Sequence, residues 1–283
     1  MEDGAGRAPV VGFVGLGNIG RPMALRLAGS GLPLVVYDVA PEPLAELVAA
    51  GAKTASGVAA LAREADVVCV MVRDDAQVRT VLGQVLAGVE RPLTVVIHST
   101  VAPGTPEALA ARAAPHGVRL LDAPVSGGAM GAADGTLAIM VGGESDAFEA
   151  ARPALEAMGS KVVHAGPIGA GTRFKLARNL MHFVAFTAAT EAQRLAEAAG
   201  LSLRDLGEVV RHTDAITGGP GAIMHRDTTA PIASDDFWHG VMTHVAALGE
   251  KDLGFAIELA EELGVDVPLA RRACADLAKG LGL

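Results

Sequence analysis

The amino-acid sequence predicts an α/β fold in which a doubly wound parallel sheet is followed by an all-α region. Three observations support this prediction. Short apolar runs alternate with helical segments over the first 165 of the 283 residues, and the first run leads directly into a glycine-rich turn. No β-branched runs return in the second half of the chain. Near-continuous apolar runs separated by helices are typical of parallel strands that are buried on both faces.

The strands are predicted where apolar and β-branched residues cluster. Five runs come first, at residues 10–15, 34–38, 67–72, 93–98 and 118–121. Two more follow at residues 137–141 and 162–164. Segments rich in Ala and Leu at helical spacing separate the runs, so we expect right-handed crossovers between parallel strands.

A long helix is predicted after the last run, over residues 172–199, because these 28 residues contain neither Gly nor Pro. It ends at Gly200, a residue type that favours the position just after a helix. The rest of the chain is helical in pattern, with breaks at residues 218–221 and 230–231. We therefore predict a sheet domain at residues 1–165 and, at residues 166–283, an interdomain helix joined to an all-helical domain.

The glycine-rich turn has the pattern G-x-G-x-x-G and lies between the first strand and a helix predicted at residues 21–29. In a dinucleotide-binding site of the Rossmann type, these glycines permit a tight turn, a close approach of the pyrophosphate and close helix packing. The helix N-terminus then favours the anion. A glycine turn without a ligand is the alternative. The predicted cofactor-binding residues in this turn are Gly15, Leu16, Gly17, Asn18, Ile19 and Gly20.

Asp38 stands at the end of the second predicted strand. A carboxylate at this place accepts hydrogen bonds from the ribose hydroxyls of NAD and repels the additional 2′-phosphate of NADP. The next two residues, Val39 and Ala40, supply no arginine for that phosphate. The sequence therefore predicts NAD as the cofactor in preference to NADP.

Composition excludes several other classes of protein. The net charge of −9, with one Trp and one Tyr, argues against binding to nucleic acid or to an anionic membrane surface. The two cysteines, Cys69 and Cys274, are too few for a disulfide framework, and Cys69 lies in an apolar run typical of a buried thiol. The N-terminal residues lack the basic and apolar regions of a signal peptide. We expect a soluble, cytoplasmic protein.

Four segments together resemble the β-hydroxyacid dehydrogenase family, which includes 3-hydroxyisobutyrate dehydrogenases and tartronate semialdehyde reductases. They are GLGNIGRPMALRLA at residues 15–28, DAPVSGG at 122–128, GPIGAGTRFKLARN at 166–179 and KDLGFA at 251–256. The resemblance extends over about residues 9 to 270. It implies a homodimer or homotetramer that acts on a small carboxylate substrate.

The resemblance also implies roles for individual residues. Lys175 matches the family's catalytic lysine, and Asn179 matches its partner asparagine. Departures occur at His98, where the family often has an acid, and at Arg178, where it often has an asparagine. The other matching positions are Ser126, Gly127 and Gly128 for the substrate carboxylate, and Met71, Val72, Thr100 and Lys251 near the cofactor.

The chemistry of Lys175 is also expected from its surroundings in the sequence. Lys175 and Asn179 are four residues apart, so they lie on one face of the long helix. The neighbouring residues are small or apolar, and a lysine that loses hydration has a lowered pKa. Such a group can act as a general base on a hydroxyl or as a general acid on a carbonyl oxygen.

Two further motifs carry expectations. The backbone N–H groups of Ser126, Gly127 and Gly128 can point at a carboxylate because little side-chain bulk covers them. Lys251 and Asp252 are predicted to begin a helical stretch that continues over residues 253–263. Four histidines cluster in the second half, but no metal site is predicted, since His239 and His244 are five residues apart and do not share a helix face, and no Cys lies close by. These histidines are His212, His225, His239 and His244.

The sequence thus favours an NAD-dependent oxidoreductase that interconverts a small 3-hydroxy acid and its semialdehyde, with the site in the cleft between the domains. Two alternatives remain. An imine reductase has the same architecture but usually replaces the catalytic lysine, whereas Lys175 is present here. A non-catalytic NAD-binding sensor or scaffold would keep the glycine turn and lose Lys175 and Asn179.

Overall fold

The computed structural model describes residues 7–283. Most of the N-terminal segment used for the signal-peptide prediction lies outside these residues. The chain divides into two compact units, of which the first ends at Arg178 and the second is Asn179–Leu283. The first unit contains the sheet, and the second is helical.

Nine strands in the described part of the chain form one sheet, in the order β3-β2-β1-β4-β5-β6-β8-β7, with β9 paired to β8. Every predicted run forms a strand. Two additional strands, β3 and β7, have only two residues each, too few to give a hydrophobic pattern. The strands are β1 Val11–Val14, β2 Leu34–Tyr37, β3 Lys53–Thr54, β4 Val67–Val70, β5 Leu93–Ile97, β6 Val118–Asp122, β7 Val125–Ser126, β8 Ala138–Gly142 and β9 Lys161–Gly166.

Helices cover both faces of this sheet. Side chains alternate along a strand, and in β4 Cys69 belongs to one apolar core while Val68 and Val70 belong to the other. Cys69 is fully buried, and burial raises the pKa of its thiol to about 12. The helices are α1 Gly20–Gly29, α2 Leu44–Ala49, α3 Val58–Glu64, α4 Asp75–Gly88, α5 Thr105–Ala113, α6 Gly128–Asp134 and α7 Ser145–Met158.

The predicted fold class is confirmed, with one difference at the edge of the sheet. The six strands from β3 to β6 pair in parallel, but β8 pairs antiparallel with both β6 and β7. Between β6 and β8 the chain has only β7 and the seven-residue helix α6. A parallel crossover usually runs through a helix that returns the chain to the same end of the sheet, whereas this connection contains β7, which pairs antiparallel with β8. The chain instead reverses direction here, and β9 then pairs in parallel with β8.

The second half is helical, as predicted, and contains four long helices. Helix α8 is continuous over 29 residues, and Gly200 follows it with φ +73°. Lys251 was expected at a helix start, but it lies inside α10, so that prediction was wrong. No helix among the described residues is long and apolar enough to cross a membrane. The four helices are α8 Ala170–Ala198, α9 Leu203–Thr217, α10 Phe237–Glu262 and α11 Pro268–Gly280.

The second unit buries few side chains. A small cluster forms between α10 and the end of the chain, around Met242, Ala246, Ile232 and Leu281. Glu191 of α8 accepts hydrogen bonds from the first backbone N–H groups of α11. Helix α9 has no buried residue at all.

Candidate active site

The glycine turn after β1 is shaped by close backbone packing. Gly15 has φ +95°, and a Cβ atom there would lie 2.1 Å from the backbone oxygen of Met71. A Cβ atom at Gly20 would lie 2.0 Å from the backbone oxygen of Gly15. Around Gly17, in contrast, nothing lies within 4 Å of that position. Gly15 and Gly20 therefore permit the turn itself, and Gly17 leaves open space above it.

A cavity of about 720 Å³ opens at this turn within the first unit. Its size is within the ~300–1,000 Å³ range of small-molecule sites. Leu16 is buried, and it is the one residue of the predicted turn that does not line this cavity. The predicted residues that line the cavity are Gly15, Gly17, Asn18, Ile19, Gly20, Asp38, Met71, Val72 and Thr100.

One wall of the cavity was not predicted from the sequence. It consists of polar side chains of α4, namely Gln77, Thr80 and Gln84. Their spacing of three and four residues places them on one helix face. Polar residues at that spacing lie next to Val78, Val81 and Leu82, which are buried. This pattern in the sequence could have indicated a polar helix face. The other lining residues missed are Val14, Tyr37, Val39, Val58, Arg73, Val81 and Ser99.

Asp38 is held rigidly at the rim of the cavity. Its Oδ2 accepts a hydrogen bond from the backbone N–H of Leu16 at 2.5 Å, and its Oδ1 accepts one from Ala40 at 2.8 Å. A carboxylate offers about four lone-pair sites, so each oxygen keeps capacity for a further donor. The two hydroxyls of a ribose are donors of that kind.

The residues at the turn fit a dinucleotide. Ile19, the N-cap residue of α1, makes no side-chain cap hydrogen bond. Its side chain therefore does not occupy the backbone N–H groups at the start of the helix. Helix N-termini of this kind bind phosphate. The open space at Gly17 gives a pyrophosphate room to approach.

Lys175 is 8% exposed and fixed by two hydrogen bonds. Its Nζ donates to the backbone oxygen of Val125 at 2.6 Å and to Ser126 Oγ at 2.7 Å. Burial, and to a smaller extent the positive charge of Arg178, lowers the pKa of Lys175 to about 8. The structure thus brings Lys175 together with the first residue of the predicted carboxylate-binding loop.

The loop itself has backbone conformations that favour glycine. Gly127 has φ +133° and Gly128 has φ +64°, both in a region that other residues rarely adopt. Helix α6 begins at Gly128, so the chain turns sharply between Ser126 and the helix. The loop therefore leaves the sheet directly beside the Lys175 amine.

Asp122, the first residue of the DAPVSGG segment, positions the helix that carries Lys175. Its carboxylate is buried and accepts hydrogen bonds from the backbone N–H groups of Gly169 at 2.7 Å and Thr172 at 2.6 Å. Burial raises the pKa of Asp122, and these N–H donors oppose the rise. A Cβ atom at Gly171 would lie 2.2 Å from the backbone oxygen of Met140, so α8 starts in direct contact with the sheet.

His98 and Ser99 support the loops beside the cavity. His98 is buried, and its Nδ1 lies 2.9 Å from the backbone oxygen of Ala123. Burial lowers the pKa of His98 to about 4, so the ring is neutral at physiological pH and Nδ1 carries the proton that it donates. Ser99 Oγ donates to the backbone oxygen of Val72 at 2.7 Å and accepts from its N–H at 2.9 Å.

Two predicted site residues belong to the second unit. Asn179 lies in α8, four residues after Lys175. Lys251 lies on the exposed side of α10, with its Nζ 3.1 Å from Asp252 Oδ1. Their roles stay predictions. Within residues 7–283, no three His, Cys, Asp or Glu side chains group as metal ligands would.

Two family models together match nearly the whole chain. Residues 10–166 match the NAD-binding domain of 6-phosphogluconate dehydrogenase. Residues 169–280 match the domain described as NAD-binding of NADP-dependent 3-hydroxyisobutyrate dehydrogenase. The chain belongs to the β-hydroxyacid dehydrogenase family. As a member of that family, it is an NAD(P)-dependent oxidoreductase of the 3-hydroxyisobutyrate dehydrogenase type.

Individual β-hydroxyacid dehydrogenases and related structures agree with this assignment. The crystal structure of a candidate oxidoreductase from Mycobacterium avium is 47% identical, with a TM-score of 0.93, covering 96% of this chain and 98% of that one. An NAD-dependent L-serine dehydrogenase of Pseudomonas aeruginosa is 37% identical, over 93% of this chain and 89% of the relative. The Mycobacterium tuberculosis 3-hydroxyisobutyrate dehydrogenase, solved with L-serine, is 33% identical, with a TM-score of 0.68 and coverage of 98% and 96%.

Proposed function

We propose that this dehydrogenase interconverts a small 3-hydroxy acid and its semialdehyde with NAD, and that Lys175 is the general acid and base. The observation that supports this most directly is the buried amine of Lys175, held between Val125 and Ser126 and with a pKa of about 8. A proton-transfer group works best when its pKa is near the working pH.

The hydrogen bonds of Lys175 leave one proton for the substrate. A charged lysine has three donors, and Val125 and Ser126 take two of them. In reduction, the third proton passes from Nζ to the carbonyl oxygen of the semialdehyde. In oxidation, the neutral amine takes the proton of the hydroxyl. When bound, the nicotinamide ring accepts or supplies the hydride.

The remaining predicted residues position the substrate and cofactor in this proposal. Ser126, Gly127 and Gly128 bind the substrate carboxylate through backbone N–H groups and the Ser126 hydroxyl. Asn179 donates to the same substrate oxygen as Lys175. The cavity at the glycine turn holds the dinucleotide, with the adenosine ribose at Asp38.

A spectrophotometric screen with NAD and NADH tests the proposed function. The substrates are hydroxyisobutyrate, glycerate, serine, threonate and hydroxypropionate, together with their semialdehydes. We expect turnover with at least one pair. Activity on cyclic imines with none on hydroxy acids would instead indicate an imine reductase. NAD binding without turnover of any substrate would indicate a sensor or scaffold.

The pH dependence is expected to differ in sign between the two directions. Oxidation needs neutral Lys175, so kcat/KM for the hydroxy acid rises about tenfold per pH unit below pH 8 and is level above it. Reduction needs the protonated amine, so kcat/KM for the semialdehyde is level below about pH 8 and falls above it. Steady-state rates measured across this range check the prediction. Profiles with the same sign in both directions would contradict it.

Replacement of Asp38 by alanine is expected to relax the preference for NAD. The change removes the acceptor for the ribose hydroxyls and the negative charge that repels a 2′-phosphate. The ratio of kcat/KM with NADH to kcat/KM with NADPH should fall by at least about tenfold, which corresponds to ~1.4 kcal/mol. An unchanged ratio in the variant would count against the ribose contact.

We also propose a homodimer or homotetramer. Apolar side chains are exposed along the second unit, among them Phe183 and Phe186 of α8 and Val209 and Ile216 of α9. Large apolar surfaces on soluble proteins usually mark interfaces. Light scattering coupled to size-exclusion chromatography should give two or four times the chain mass. A monomer at micromolar concentration would contradict the proposal.

A further inference from the structure

A second groove lies beside the glycine turn. It measures about 450 Å³ and shares Gly17, Asn18 and Asp38 with the cofactor cavity. The groove is therefore continuous with the predicted ribose position. The residues that line it are Leu16, Gly17, Asn18, Arg21, Asp38, Ala40, Glu42, Pro43 and Glu46.

The charges in this groove are unbalanced. Among its lining residues, Arg21 is the one cation, and Asp38, Glu42 and Glu46 are anions. Arg21 Nη1 lies 2.7 Å from Glu46 Oε2, so the cation is already engaged by a carboxylate. A group with two negative charges, such as a phosphate monoester, therefore meets a net negative groove and an occupied arginine.

Asp38 cannot turn away from such a group without a cost. Both of its oxygens accept backbone hydrogen bonds, from Leu16 and from Ala40. A rotation that moved the carboxylate out of the groove would leave these N–H groups without their acceptor. Asp38 thus holds one negative charge at the predicted ribose position. The ion pair with Glu46 determines whether the positive charge of Arg21 is available to a ligand nearby.

We propose that Glu46 is a specificity-determining residue, which acts with Asp38 against a 2′-phosphate by keeping Arg21 engaged. This inference rests on the proposed function, since it assumes a dinucleotide in the adjacent cavity. Arg21 is the residue in the groove that suits a phosphate, because a guanidinium binds phosphate oxygens with two parallel hydrogen bonds. Without Glu46, Arg21 becomes available for that contact.

The ion pair between Arg21 and Glu46 contributes too little to folding for its removal to unfold the protein. Both side chains are about half exposed, at 52% for Arg21 and 48% for Glu46. Exposed ion pairs of this kind contribute little to folding. The variant Glu46→Gln should therefore remain folded, which a thermal melt verifies, and differences in cofactor binding can be attributed to the groove.

Calorimetric titration of NAD⁺ and NADP⁺ into four proteins tests the inference without any need for turnover. The proteins are the wild type, Glu46→Gln, Arg21→Met and the double variant. We expect Glu46→Gln to tighten NADP⁺ binding by roughly five- to tenfold and to change NAD⁺ binding by less than about twofold. The gain should shrink as the salt concentration rises. In the Arg21→Met background, the same Glu46→Gln change should give a clearly smaller gain, because only the repulsion by Glu46 itself is then removed.

A matched control is available in the same unit. Glu90 forms an exposed pair with Arg63 at 3.1 Å, and neither residue lines the groove or the cavity. Glu90→Gln changes the net charge by the same amount and should leave NADP⁺ affinity unchanged. An equal gain in Glu90→Gln would mean that overall charge is responsible, and would overturn the inference.

The other outcomes separate this inference from the proposed function. Unchanged NADP⁺ affinity in Glu46→Gln, with NAD⁺ still bound, overturns the inference alone. A gain of the same size in the Arg21→Met background shows that Glu46 acts through its own charge alone, and overturns the role of Arg21. Failure of the wild type to bind either dinucleotide overturns the proposed function itself.

Discussion

Replacement of Lys175 by methionine is expected to lower kcat by about two to four orders of magnitude, the usual contribution of general acid–base catalysis. Methionine is similar in length and carries no charge, so it can occupy the buried position. It loses the proton donor and the contacts with Val125 and Ser126. The cofactor cavity does not include Lys175, so the dissociation constant for NADH should change little.

The measurement combines turnover, NADH fluorescence titration and circular dichroism. Lys161→Met is the matched control, because Lys161 is an exposed lysine of β9 in the same unit. It should retain kcat within about twofold, as expected for a surface change remote from a site. Turnover close to wild type in Lys175→Met would refute the proposed role of the amine.

Replacement of Asp122 by alanine is expected to destabilise the protein by about 2–6 kcal/mol. The change leaves the N–H groups of Gly169 and Thr172 without their acceptor, and an unsatisfied buried donor costs about 1–3 kcal/mol. Because Thr172 is in the first turn of α8 and Lys175 lies in the next, we also expect kcat to fall. Asp122→Asn should be milder, since its amide oxygen can still accept.

Chemical denaturation and turnover of the folded fraction together check this prediction. Asp134→Ala serves as the control, because Asp134 is an exposed acid at the end of α6. Its effect on the free energy of unfolding should be within about 0.5 kcal/mol. An Asp122→Ala protein with wild-type stability would show that α8 does not depend on this carboxylate.

Most of the sheet could be predicted because the signal is local. Strands β1, β4 and β5 are buried along their whole length, and all their residues except Thr94 are apolar. The antiparallel position of β8 could not be predicted in this way, since pairing direction depends on how the chain returns and not on composition. At Lys251 the local sequence signal was misleading. Helix α10 continues through Gly249, where the missing side chain lets α11 pack closely, since a Cβ atom there would lie 2.6 Å from Leu277 Cδ2.

The candidate site also contains some residues that the local sequence predicts and others that it does not. The glycine turn and Asp38 are recognisable from adjacent residues, and they line one cavity. Asp122 was missed because its function depends on hydrogen bonds to residues 47 and 50 positions later. The engagement of Arg21 by Glu46 spans 25 positions, and no local pattern indicates it.

The distribution of the two thiols gives the chain an internal reporter of unfolding. Cys69 is buried in the central strand β4, whereas Cys274 is partly accessible on α11. A pulse of maleimide at increasing urea concentration, resolved by peptide mass spectrometry, would therefore follow the opening of each unit separately. Alkylation of Cys69 requires disruption of the sheet itself, so its rate reports the most protected part of the molecule without any engineered label.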